Sequence, residues 1–131
     1  MIGLDTNVVV RYLTQDDPVQ SRRATQIFDH QLTALDPGFL SVVTMVETVW
    51  VLGRGYGFVG QEIAAAVELL LQTDVLVIEH EQEVFFAAAA LKSGSGLFAD
   101  ALIASLGAKA GCKHTLTFDQ KALRLPGFEP A

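Results

Sequence analysis

The sequence predicts a single α/β domain over residues 1–131, an α/β/α sandwich around a central, mostly parallel sheet. Three observations carry this. Short apolar runs alternate with longer segments of helical period, the pattern that winds strands between helices. The run from Val75 to Ile78 is apolar throughout, as suits a parallel strand buried on both faces. The first and last strand-like runs each finish on an aspartate, Asp5 and Asp119, and parallel strands deliver such residues to one sheet edge.

Taken in order, Met1, Ile2 and Leu4 form the first strand, ending at Asp5. The next stretch, NVVVRYLT, has strand-like β-branching, but Thr6 or Asp5 is a good helix cap, and Val9, Tyr12 and Leu13 share one helical face. We therefore expect a short helix. Asp16-Asp17-Pro18 makes a turn with Pro18 opening a helix to about Gln31, with Ala24, Ile27 and Phe28 inward. Phe39, Leu40 and Val42 read as a second strand. Val43 to about Arg54 is apolar on nearly every side, which predicts a buried helix. Gln61 to Gln72 is amphipathic, with Ile63, Val67 and Leu70 on one stripe. After the third strand come helices over Glu81–Leu91 and Leu97–Ala110, separated by Ser93-Gly94-Ser95-Gly96. Thr115 to Phe118 is the fourth strand, and Lys121 to Leu125 a final turn.

Composition narrows the function. Net charge is −6 and the pI about 4.8, so affinity for phosphate through a blanket of lysine and arginine is excluded. A nucleic-acid enzyme is not, because clustered acids are neutralised by divalent cations. Charged residues make up 18% of the chain, below the roughly 25% of ordinary soluble domains. Together with the Ile63, Val67, Leu70 stripe, this excess of apolar surface suggests a subunit interface, with intrachain packing the alternative. No apolar run reaches the roughly 18 residues of a membrane span, and the N-terminus lacks the pattern of a signal peptide. We expect a cytoplasmic protein. One cysteine, Cys112, excludes an intrachain disulfide, and His30, His80 and His114 lack zinc-ligand spacing.

Four acids stand out. Asp5 and Asp119 follow strands and precede helical segments, where an aspartate serves either as a cap or as a site residue. Asp100 lies in the first turns of a helix, with Leu97, Ile103 and Ala104 as its i−3, i+3 and i+4 neighbours, which sets it on an apolar face. Glu47, within TMVETVWVL, has Val43, Trp50 and Val51 around it. A buried glutamate needs a partner, and the structural alternative is an ion pair with Arg11 or Arg54. Four carboxylates on one edge would repel unless cations intervene. All-oxygen ligation favours Mg²⁺ or Mn²⁺.

The stretches LDTNVVVRYL, VVTMVETVWVL, FADALIAS and TLTFD, in this order and spacing, resemble a PIN-domain ribonuclease, and more closely the VapC toxins of bacterial toxin–antitoxin pairs. The resemblance covers essentially the whole chain. It implies that Asp5, Glu47, Asp100 and Asp119 hold Mg²⁺ or Mn²⁺, with Thr6, Asn7 and Thr117 orienting the carboxylates. Glu47 is either a ligand or a general base. Family members often carry a further acid where Leu97 stands here, which leaves one or two metals open. The resemblance also implies an endoribonuclease that cleaves cellular RNA through metal-activated water, a homodimer, and a VapB-like antitoxin. Val9, Tyr12, Leu13, Ile27 and Phe28 are the residues expected to line the antitoxin groove, with ordinary core as their alternative role.

Other readings fit less well. A receiver domain needs an acidic pair after the first strand, where Thr6 and Asn7 stand, and an acceptor aspartate where the chain has Glu79-His80. A haloacid dehalogenase-type phosphatase needs an aspartate at the position of Asn7. A non-catalytic interaction module of the same fold, its acids structural, is the remaining alternative.

Overall fold

A computed structural model describes residues 1–131. Strands β1 (Ile2–Gly3), β2 (Gly38–Leu40) and β3 (Leu76–Ile78) form a parallel sheet in that order, with Ile2 opposite Gly38 and Gly38 opposite Leu76. Six helices connect and cover the strands: α1 (Thr6–Thr14), α2 (Pro18–Gln26), α3 (Val42–Tyr56), α4 (Gly60–Leu71), α5 (Glu81–Ser93) and α6 (Phe98–Lys109). The α/β class and the parallel strands are as expected. The single central sheet is not. The expected fourth strand, β4 (Thr115–Thr117), pairs in parallel with a fifth, β5 (Phe128–Pro130), as a separate ladder.

Local chemistry explains most boundaries. The Asp5 carboxylate caps α1 by accepting from Thr6 N at 2.7 Å. Asp17 caps α2 by accepting from Val19 N and Gln20 N at 3.0 and 2.7 Å, and Pro18, which has no N–H to satisfy, occupies the first turn. Beyond Gln26 the helix widens into a π turn over Ile27–Gln31, where Leu32 N donates to the Ile27 carbonyl five residues back. Ser41 Oγ accepts from Thr44 N to start α3, so Val42 belongs to this helix and not to β2. Gly57, at φ +68°, closes α3 in the left-handed conformation that glycine adopts without steric cost.

The core runs between the sheet and the helices, through Leu40, Met45, Leu52, Leu70, Leu102, Val9, Val67 and Val84. Ile63, Val67 and Leu70 are all buried within it, so this stripe is intrachain packing. The opposite correction applies to α3. Only Met45, Thr48 and Leu52 of that helix are buried, while Val43 and Trp50 are 73% and 61% exposed. An apolar surface all round a helix cannot say which side faces water, and here one apolar side does. No helix is long and apolar enough to cross a membrane.

Candidate active site

The C-terminal edge of the three-stranded sheet is where the candidate site assembles. Leu4 N donates to the Phe39 carbonyl at 3.0 Å, extending the β1–β2 ladder to the residue before Asp5. Asp5 is therefore held by the sheet on one side and by α1, which it caps, on the other. The start of α3 is tied to the same edge from two directions. Thr44 Oγ1 donates to the Leu4 carbonyl at 3.4 Å, and Val42 N donates to Glu79 Oε1, just past β3, at 2.9 Å. Helix α3 packs on α1, and this places Glu47 in one cleft with Asp5. The cleft is about 330 Å³ and is lined by Asp5, Thr6, Asn7, Val10, Arg11, Glu47, Val51 and Tyr56.

The buried environment expected for Glu47 is not what the structure gives. Glu47 is exposed, because Val43 and Trp50, which flank it, face water as well. It pairs with neither Arg11 nor Arg54. Arg11 is engaged elsewhere: Nη1 donates to both oxygens of Asp16 at 3.1 Å and to Tyr56 Oη at 2.8 Å, and Nε donates to Gln20 Oε1 at 2.8 Å. Tyr56 in turn donates to Asp16 Oδ2 at 2.6 Å. The hydrogen bond from Tyr56, then that from Thr14, with smaller help from a backbone hydrogen bond and last the Arg11 charge, hold the Asp16 carboxyl down at about 2. The cation lining the cleft is thus bound to a third carboxylate. Asp5 keeps one oxygen, and Glu47 both, without a hydrogen-bonding protein partner.

Asp100 and Asp119 are not among the residues lining this cleft. Asp100 lies in the first turn of α6 and is half-buried. Its expected neighbours Leu97 and Ile103 are exposed, and Ala104 alone is buried, so Asp100 does not project from the core face. Asp119 follows β4, in the separate ladder, and its Oδ1 accepts from Lys121 N at 2.8 Å, the turn-capping role. Thr117 Oγ1 accepts from Asp119 N at 3.0 Å. No three histidine, cysteine, aspartate or glutamate side chains come together as a metal-binding group. Of the four expected acids, Asp5 and Glu47 line one cleft.

A hard divalent cation still fits the donors present at Asp5 and Glu47. Mg²⁺ commonly takes one or two protein carboxylates and completes its shell with waters and substrate phosphate oxygens. Of the flanking residues, Thr6 is buried and its N–H fixes Asp5, while Asn7 lines the cleft and is exposed. Of the expected groove residues, Val9 and Phe28 are buried core and cannot line an open groove. Tyr12 stacks on Phe28 with ring centroids 3.8 Å apart, and Leu13 is partly buried against the core. Ile27 does line a second cavity, with Asn7, Val8, Arg11, Val19, Gln20, Arg23 and Ala24. Sequence reasoning missed the Arg11–Asp16–Tyr56 brace. The only local signal was a cation one helical turn beyond Asn7 and just ahead of an acidic turn.

An α/β domain with unpaired carboxylates at the C-terminal edge of a parallel sheet is a scaffold on which a divalent cation can be held, as is typical of PIN domains, a nuclease-type fold. The family model described as PIN domain matches residues 2–127, nearly the full chain, and the chain belongs to the PIN domain family. Comparison with curated proteins finds no match.

Proposed function

We propose that this protein is a divalent-metal-dependent endoribonuclease and the toxin of a toxin–antitoxin pair. One observation carries the nuclease reading. Asp5 and Glu47 face one cleft without a countercharge of their own, although Arg11 lines the same cleft and is bound to Asp16 instead. Two carboxylates kept together and unpaired form a place for a cation. Bound there, Mg²⁺ or Mn²⁺ would supply a water of lowered pKa and charge stabilisation for phosphodiester hydrolysis. Within the chain, Thr6 N holds Asp5 in orientation, α3 sets Glu47 opposite, and Asn7 offers a polar contact to substrate. The motif resemblance adds Asp100 and Asp119 to the site, and Asp100→Asn tests that addition by its effect on cleavage.

The toxin role rests on the VapC resemblance of the four motifs, and it brings a VapB-like antitoxin as partner. The homodimer proposal now rests on α3 and its surroundings, where Val42, Val43, Val46 and Trp50, with Glu47 among them, line an open, mostly apolar cavity of about 460 Å³. The test of the nuclease reading is cleavage of total RNA with Mg²⁺ or Mn²⁺, against the same reaction in EDTA. Discrete cuts that need the cation support it. RNA left intact under both conditions favours the non-catalytic interaction module.

A further inference from the structure

Next to the acid cleft lies a second cavity of about 370 Å³ between α1 and α2, and the two share Asn7 and Arg11 in their linings. Arg11 and Arg23 line this second cavity, together with the polar Gln20 and Asn7. That is a local concentration of cations in a chain with only nine lysines and arginines and a net charge of −6. Arg11 is held in one orientation. Its Nε and Nη1 bond Gln20, Asp16 and Tyr56, and its Nη2 has no protein partner. A guanidinium fixed along one edge presents the remaining N–H donors without further loss of side-chain freedom, the arrangement that suits a phosphate oxygen. Arg23 is steadied in the same way by Gln31, whose Oε1 accepts from Nη2 at 3.0 Å.

We propose that Arg11 and Arg23 bind backbone phosphates of the RNA strand as it leaves the Asp5–Glu47 cleft, along the groove between α1 and α2. The proposal rests on the ribonuclease reading and assigns the strand's path. Asp16 and Tyr56 are then positioning residues, because they hold Arg11 and do not themselves meet the phosphate. Asp16 also offsets much of the Arg11 charge. The groove therefore gives directed contacts at defined phosphates, in keeping with an acidic protein, and not a broad electrostatic attraction.

The test is binding of a short fluorescein-labelled single-stranded RNA of randomised sequence, followed by anisotropy across a salt series in EDTA. Asp5→Asn is the background, so that neither metal nor cleavage enters. Each phosphate contact on a single strand contributes about 0.7 to the slope of log affinity against log salt. Arg11→Gln and Arg23→Gln should each reduce that slope by about 0.7 and weaken binding about tenfold at low salt. Arg11→Lys should restore the slope while recovering only part of the affinity, since a lysine keeps the charge and loses the fork. Circular dichroism melting accompanies each variant, and a merely structural Arg11 would lower the melting temperature without moving the slope. If the background protein binds and both arginine variants keep its slope, the strand does not follow this groove and the inference fails alone. If the background protein shows no RNA binding, the inference fails, while the ribonuclease reading stands or falls on the separate cleavage assay with and without EDTA.

Discussion

Thr48 sits beside Glu47 on α3, fully buried, and its hydroxyl oxygen has no hydrogen-bond partner. A buried hydroxyl left unpaired costs about 1–3 kcal/mol. Thr48→Val replaces that hydroxyl with a methyl group of nearly the same shape, so it opens no cavity. Valine and threonine have nearly equal helix propensities, so the backbone term cancels. The variant should therefore be more stable by about 1–3 kcal/mol. At roughly 2.1 cal/mol/K per residue of unfolding entropy, a chain of 131 residues should gain about 4–11 °C in Tm. Urea denaturation checks the free energy directly, with an unchanged m-value showing that the unfolding transition is otherwise the same. A loss of about 1 kcal/mol or more would refute the reasoning. It would mean that the hydroxyl does bond, most simply to the carbonyl of Thr44 one turn back, as helical threonines can.

Other outcomes follow from the packing and the ion pairs. Gly38→Ala should destabilise the domain by about 1–3 kcal/mol, because the new Cβ would stand 2.8–3.0 Å from side-chain atoms of Leu32, Leu4 and Leu76 on separate elements; chemical denaturation measures this. Asp16 is depressed from an ordinary 3.8 to about 2, so the stability it contributes is complete above about pH 4 and disappears as the pH falls toward 2. Tyr56→Phe removes the largest cause of that shift and should flatten this part of an acid-unfolding curve. Glu83, buried and held below its ordinary 4.5 by a hydrogen bond from Lys109, gives loss of the same sign as pH falls through the acid range; Lys109→Met should remove it in the same titration. Trp50→Lys, on the exposed apolar side of α3, should convert a dimer to the 14.1 kDa monomer in sedimentation; a dimer that persists would place the interface elsewhere.

Much of this molecule was legible where local chemistry decides. Asp17-Pro18 opens α2 as its residue types require, Asp5 caps α1, and the apolar run after Val75 is a parallel strand. The PIN resemblance drawn from four short motifs agrees with the family to which residues 2–127 belong. What failed were inferences that depend on which apolar face turns inward. The stretch TMVETVWVL is apolar all round, so periodicity could not reveal that Val43 and Trp50 face water. Leu97 and Ile103 misled for the same reason, being apolar yet exposed. Strand β5 was hidden by Pro130, which a strand tolerates only at an edge. In the Arg11–Asp16–Tyr56 brace, Tyr56 lies 45 and 40 positions from its two partners, a relation that no local pattern carries.

The central claim is that Asp5 and Glu47 together form the cation site, and calorimetric titration of Mn²⁺ tests it most directly. Wild-type protein should bind the ion, and Asp5→Asn and Glu47→Gln should each lose most of that affinity while melting as folded domains. The double variant should be no worse than the weaker single one, because the two carboxylates share one ion. Wild-type affinity retained in both single variants would contradict the account and place any bound cation away from this cleft.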